Sequence, residues 1–391
     1  MKHLLVIFGR SKLKILMIFG LILFGCTNHT EEPEIDDTID LQITVKWHDG
    51  SFELSQEQRI TGLAWTLSSL GAELPEGSLE NTITLSANDT YILDLSSAGF
   101  SEGAENALST IIKKIKEHSS YQMHEYIDVG RFVMLTLNSS FHYYKIIGIP
   151  ESIEAFADLH QFKGKKMRVI NSSISIFNRL IEIGEASLAS DIAYVSSEGA
   201  GEFENDNFIT QEFEVMDLMP NGQFRFALYN KNGQLKSSAD QVLTNAGKPA
   251  KCLWCHEINI QPFFREDPVL DGAGYLSAQE FLDLRDQQTD MLNIHRASSG
   301  EIDFGQRKEH TLMEKIYIDF MEPSVERLSS EWEVSVEEIY TMLQNLETHT
   351  HAEFGIENLY RRNDVDLLGP FEILDVPESA RESSNFEPNY F

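Results

Sequence analysis

Residues 41–48, Leu-Gln-Ile-Thr-Val-Lys-Trp-His, alternate apolar and polar side chains at period two, the pattern of a half-buried strand. Residues 82–85 and 91–95 carry similar short apolar runs on either side of Ser-Ala-Asn-Asp-Thr, which predicts a strand–turn–strand unit. Between 105 and 117 the period changes. Leu108, Ile111, Ile112 and Ile115 fall at helical spacing with lysines opposite. Residues 131–137 and 142–147 flank Asn138-Ser139-Ser140 and predict a second hairpin, closed by Pro150, and 151–160 predict a short helix. The clearest β signal follows at 213–219, 223–229 and 234–236. These runs are joined by Pro220-Asn221-Gly222 and Asn230-Lys231-Asn232-Gly233, the turn chemistry of a β-meander.

Beyond residue 245 helical patterns dominate. Residues 335–346 start with Ser335 at an N-cap position and acids in the first turn, and carry Ile339, Met342, Leu343 and Leu346 on one face. Residues 328–343 read as helix–turn–helix. The expected fold class is α+β and multidomain, with a β-rich region over 41–245 in one or two domains, a mainly helical domain over 246–365, and a loosely packed acidic tail over 366–391. The 391 residues suit two or three domains.

The N-terminus departs from both patterns. Residues 1–25 carry Lys2, Arg10, Lys12 and Lys14 and no acid, then run apolar from 15 to 25, the layout of a secretory signal. The run ends Leu23-Phe24-Gly25-Cys26, which resembles the lipobox of bacterial lipoproteins. That resemblance implies cleavage before Cys26, diacylglycerol on its sulfur and attachment to a membrane at the cell envelope through the N-terminal lipid. An ordinary cleaved signal with a stray cysteine, or an uncleaved anchor, are the competing readings. Residues 26–40, with six acids, read as a solvated tether.

Charge narrows the partners. The formal net charge is −31, and removing the four cations of residues 1–25 takes it to −35. Such a surface repels phosphate backbones and argues against a nucleic-acid partner, the helix–turn–helix pattern notwithstanding. Three cysteines are too few for a disulfide scaffold or a four-thiolate metal site.

Candidate chemistry in the β-rich region is sparse. Trp47, Trp65, Phe141, Tyr143 and Tyr144 stand where aromatics fill a core, and His118, His124, His142 and His160 share no spacing. The sequence has no phosphate loop, nucleophile elbow or HExxH motif.

The two remaining cysteines stand in Lys251-Cys252-Leu253-Trp254-Cys255-His256. On a helix starting near Ala250, positions i, i+3 and i+4 share one face, so Cys252, Cys255 and His256 stand together. A thioredoxin-like dithiol would favour a βαβ frame, which the flanks do not provide, and a disulfide between the two cysteines would leave His256 unexplained. Zinc held by Cys252, Cys255, His349 and His351 is a further alternative.

The Cys-x-x-Cys-His run resembles the haem-attachment motif of the c-type cytochromes, over roughly residues 245–365. The resemblance implies one covalent haem c, thioethers at Cys252 and Cys255, His256 as axial iron ligand, and one-electron transfer with redox partner proteins rather than catalysis. It also implies a distal ligand before the last helix. Met321 is the first choice and Met313 the second, with Met291 and Met342 reading as core. His295, His310, His349 and His351 are alternatives for a bis-histidine iron. Trp254, Ile258, Ile260, Pro262, Phe263 and Phe264 are candidate lining residues that would serve equally as core. A di-haem enzyme is disfavoured because no second Cys-x-x-Cys-His occurs.

Overall fold

The computed structural model describes residues 39–391 apart from 173, 176, 204–206, 257–263, 267–274, 306–311 and 381–386. Ile39–Phe391 forms one compact α+β unit. The signal, Cys26 and most of the tether lie outside the described residues. Among the described residues no helix is long and apolar enough to cross a membrane.

The alternating pattern at the start gives strand β1 (Gln42–Lys46), with Ile43 and Val45 buried. It lies in a four-stranded sheet with β2 (Ile83–Leu85), β3 (Thr90–Asp94) and β4 (Ile127–Asp128), in the order β2-β3-β1-β4. β1 runs antiparallel to β3 and parallel to β4. Asn88 and Asp89 sit at φ of 56° and 57°, the left-handed pair that a tight hairpin between β2 and β3 requires. Helix Glu102–Glu117 forms where the spacing put it. Ser101 accepts from the Ala104 N–H, and Leu108, Ile111, Ile112 and Ile115 are buried.

The hairpin expected over 131–147 is a correction. Helix Val129–Val133, a wide turn at Met134–Asn138 and helix Ser140–Ile147 occupy it. Every residue from 127 to 140 is buried. A helix buried on all sides shows a continuous apolar run, which periodicity alone cannot tell from a buried strand. Consequently the β-rich region expected over 41–245 divides in two, helical around a small sheet up to residue 160 and β from 162 to 230.

The second sheet has six antiparallel strands, β5 (Phe162–Ser172), β6 (Arg179–Gly184), β7 (Ala193–Ala200), β8 (Ile209–Leu218), β9 (Phe224–Asn230) and β10 (Phe264–Glu266), in the order β10-β5-β6-β7-β8-β9. β5 to β9 form a meander in sequence order. The third run of the predicted meander, 234–236, reduces to the single bridges Tyr229↔Leu235 and Ser152↔Gln234. Helix Ala278–Arg296 is tied to this sheet by Gln288, which accepts from Tyr194 Oη at 2.5 Å and donates to the Gly184 carbonyl at 3.2 Å.

Helix Leu312–Met321 runs beside helix Gln56–Ser69 and against helix Val129–Val133. At Gly130 an added Cβ would fall 2.3 Å from Phe320, so the close approach requires glycine. Helices Val325–Trp332 and Val336–Leu343 form the expected helix–turn–helix, packing Leu328, Trp332, Ile339 and Leu343 together with Tyr360 and Val365. A two-stranded hairpin, β11 (His349–His351) and β12 (Ile356–Leu359), follows.

At this end of the molecule three buried arginines meet four carboxylates. Arg327 contacts Asp128 at 2.5 Å, Glu331 at 3.3 Å and Asp319 at 3.4 Å. Arg362 contacts Glu331 at 2.9 Å and Asp366 at 3.1 Å, and Arg131 contacts Asp366 at 2.9 Å and Glu331 at 3.5 Å. The guanidinium groups of Arg131 and Arg362 also lie over the Phe320 ring, at 5.0 and 4.0 Å.

The C-terminal segment touches the core at particular residues. Ala380 is fully buried and its N–H donates to Tyr317 Oη. Farther on, the Tyr390 N–H donates to His142 Nε2 at 3.1 Å.

Candidate functional site

Helix Pro249–His256 carries the Cys-x-x-Cys-His run. Proline at its first position needs no N–H partner and presets the helical φ. The loop before it is held by Gly247, at φ +71°, where an added Cβ would stand 2.2 Å from the Ala380 carbonyl. The neighbouring Lys248 N–H donates to that same carbonyl at 2.9 Å. Ala250 and Leu253 anchor the helix in the core, and the Trp254 ring packs on Tyr317 with centroids 4.4 Å apart. That leaves Cys252, Cys255 and His256 on a shared side, and all three line one cavity.

The cavity, about 280 Å³, lies between this helix, the face of β6–β9 and the start of helix Ala278–Arg296. Strand register explains its walls. Tyr194, Met216 and Phe226 are aligned across β7, β8 and β9, and Ile181, Ser196, Glu214 and Leu228 form the next row across β6 to β9. All seven line the cavity, with Phe281 closing one side. The Phe226 ring lies 5.5 Å from that of His256.

The thiols differ in setting. Cys252 is half-buried and Cys255 exposed. Burial, then the charges of Glu214 and Cys255, push the Cys252 thiol well up. Cys252 is therefore the thiol held protonated, and Cys255 is the more accessible one.

The polar groups on the cavity face are unevenly matched. In the row beyond Glu214, Arg179, Glu198 and Glu212 align across β6, β7 and β8. Arg179 Nε lies 2.9 Å from Glu198 Oε1, and Ser196 Oγ donates to the same oxygen at 2.6 Å. Glu212 pairs with Lys236 and accepts from the Asp240 N–H at 3.0 Å. Glu214 has no such cation of its own. Its Oε1 is shut off from solvent and meets no hydrogen-bond partner. Burial, then Glu198, push its carboxyl up to about 8, with Glu212 adding to the rise and Arg179 and the Thr244 hydroxyl opposing it.

The residues present fit a covalently held porphyrin, because two thiols and an imidazole converge from one helix face onto an apolar wall with cations at Arg179, Lys251 and Arg285. Other sequence-predicted residues stand elsewhere. Met313 and Met321 are buried in helix Leu312–Met321, packed in the main core, and neither lines the cavity. The methionine that does is Met216, inside a strand where no spacing rule pointed to it. Met291 is on helix Ala278–Arg296 and Met342 packs against the C-terminal cluster.

The zinc set does not assemble. His349 pairs with Glu322 at 3.0 Å and the His351 ring packs on Phe354 at 5.0 Å, both on the β11–β12 hairpin. Among the described residues no group of three or more His, Cys, Asp or Glu side chains is gathered to hold a metal ion. Of the other histidines, His295 contacts the Pro220 carbonyl at 2.8 Å. His142 is buried, its ring bonded to the Leu135 carbonyl, and His160 pairs with Asp217. Trp254 faces Tyr317 rather than the cavity, while Ile258, Ile260, Pro262, Phe263 and His310, like Cys26 and the Phe264 side chain, lie outside the described residues. Glu214 and Arg179 were missed because a charged residue in a strand pattern reads as solvent-facing. Only the fold turns them inward.

No protein-family model, no curated protein and no solved structure matches the chain.

Proposed function

We propose that the chain is an exported, lipid-anchored, monohaem c-type cytochrome-like protein that passes single electrons at the cell envelope. The observation that carries this reading is the convergence of Cys252, Cys255 and His256 onto one apolar cavity. In the proposal Cys252 and Cys255 would hold one haem through thioethers, His256 would ligate its iron, and Cys26 would carry the lipid. A haem so held supplies a reversible one-electron iron couple. The chain's own residues then set its environment. Phe226, Met216 and Leu228 exclude water from one side, and a drier shell raises the iron potential. The setting differs from a helical cytochrome, because the attachment helix lies on a sheet.

The test is expression with the haem-attachment machinery present, followed by mass measurement of the denatured polypeptide and a pyridine haemochrome spectrum. One covalent haem per chain is expected, lost in the Cys252→Ala, Cys255→Ala double variant, while His256→Ala keeps the added mass but changes the native low-spin spectrum. A polypeptide with no added mass beyond lipid overturns the proposal. Replacing Cys26 by Ser is expected to release the protein from the membrane fraction.

A further inference from the structure

Three carboxylates project from adjacent positions of β7 and β8 onto the cavity face, and two cations answer them. Arg179 serves Glu198, and Lys236 serves Glu212. The third carboxylate, Glu214, lines the cavity with Cys252, Cys255 and His256 and has a buried oxygen without a partner. Arg179 and the Thr244 hydroxyl relieve it only in part. Leu228 flanks it on β9 and Ser196 on β7, and the Ser196 hydroxyl is committed to Glu198. From the packed elements outside the sheet, Lys251 and Arg285 face the same cavity, but Lys251 Nζ donates to the Asn245 carbonyl and Arg285 is bonded to Asp286 at 2.9 Å. A carboxyl in such a place stays uncharged at neutral pH and gives up its proton when positive charge rises nearby.

Building on the haem reading above, we infer that Glu214 is the proton-exchanging partner of the redox centre: it binds a proton when the cavity's cofactor gains an electron and releases it when the electron leaves. The balance is one electron from a one-electron donor protein and one proton from solvent, which ends on a Glu214 carboxylate oxygen. Reduction removes one positive charge from the cavity, so the glutamate holds its proton more tightly in the reduced protein. Oxidation reverses both. Glu198 and Glu212 keep their cations throughout and fix the field in which Glu214 titrates. The group is thus a positioning residue for charge rather than an iron ligand.

The experiment is a spectroelectrochemical titration of the full-length haem-loaded protein between pH 6 and 10. In the wild type the midpoint potential is expected to fall over part of this range with a limiting tenfold change in the electron equilibrium per pH unit, about 59 mV for a one-electron couple. The shape of the visible spectrum should not change. Glu214→Gln is expected to make the potential flat with pH, and Thr244→Val, which removes the hydroxyl favouring the charged form, should move the sloping region to higher pH. A flat wild-type curve, a slope retained in Glu214→Gln, or a slope accompanied by a spectral change of ligand each overturns the inference.

Infrared difference spectra of the protein without haem provide an independent arm. A protonated carboxyl stretch that titrates at alkaline pH and vanishes in Glu214→Gln is expected whether or not haem binds, and its absence overturns the inference. Failure of the haem proposal is read separately, from the mass of the polypeptide.

Discussion

Two buried charged clusters, at different places in one compact unit, follow opposite logics. Around Arg327, Arg362 and Arg131 each carboxylate touches at least one guanidinium, and the shared carboxylate, Glu331, touches three. On the cavity face three glutamates share two cations, and Glu214 is left over. Burial alone would raise Glu331, yet Arg362, Arg327 and Arg131 together hold it far below the usual carboxylate range, whereas Glu214 is driven up to about 8. Matched charges lock helices to one another. An unmatched one stays free to exchange its proton.

The two clusters should leave opposite marks on the pH dependence of stability. Glu331 has a depressed folded value, so its stabilisation is present above the unfolded value near 4.5 and disappears as pH falls below it. His48, beside Asp128, is pushed down to about 4 by burial and then by Arg327, so the native state binds fewer protons than the unfolded chain between 4 and 6.5 and loses stability as pH falls through that window. Asp319, raised to about 6 by burial against the pull of Arg327, acts in the other direction between 3.8 and 6 and offsets much of it. Glu214 has a raised folded value, so the native state binds the extra proton between 4.5 and 8, and stability declines as pH rises through that interval.

The largest expected effect is at the matched cluster. Arg327→Met leaves Asp128, Asp319 and Glu331 with one cation fewer in a buried site, and should cost about 3–5 kcal/mol in denaturant unfolding at pH 7. A cost below 1 kcal/mol would show that the network does not hold the helices. Next in size is Glu214→Gln, expected to raise stability above pH 8 by on the order of a few kcal/mol and to flatten the alkaline decline. Unfolding curves at pH 6 and pH 9 check this, and a variant that keeps the wild-type slope would contradict the assignment. Smallest is Glu333→Gln, which breaks the exposed 3.4 Å pair with Lys46 at the edge of the first cluster. It should change stability by less than about 1 kcal/mol, since solvent screens such pairs. A larger effect would mean that pairing itself, rather than burial, decides the difference between the clusters.

Local patterns carried much of the architecture into view. The β1 alternation, the Asn88-Asp89 turn, the helix over Glu102–Glu117, the β8–β9 hairpin and the Ser335 cap all follow from side-chain periodicity and turn chemistry. Periodicity failed at 131–147 because burial of every residue up to 140 erases the polar face that would have marked a helix. Helix Pro249–His256 was legible because Cys252, Cys255 and His256 are close in sequence. The rest of the cavity was not. Glu214 and Met216 reach it through strand register, and Phe281 and Arg285 through a helix some thirty residues later. No local rule in one sequence reports such pairings.

The bond between the Lys248 N–H and the Ala380 carbonyl makes the seat of helix Pro249–His256 a long-range closure, joining residue 248 to residue 380. Ala380 is itself held by Tyr317, so the loop, the helix and the core meet at one fastening. A chain cut ahead of residue 380 loses that fastening, and thiol-reagent labelling of half-buried Cys252 is expected to rise toward that of exposed Cys255.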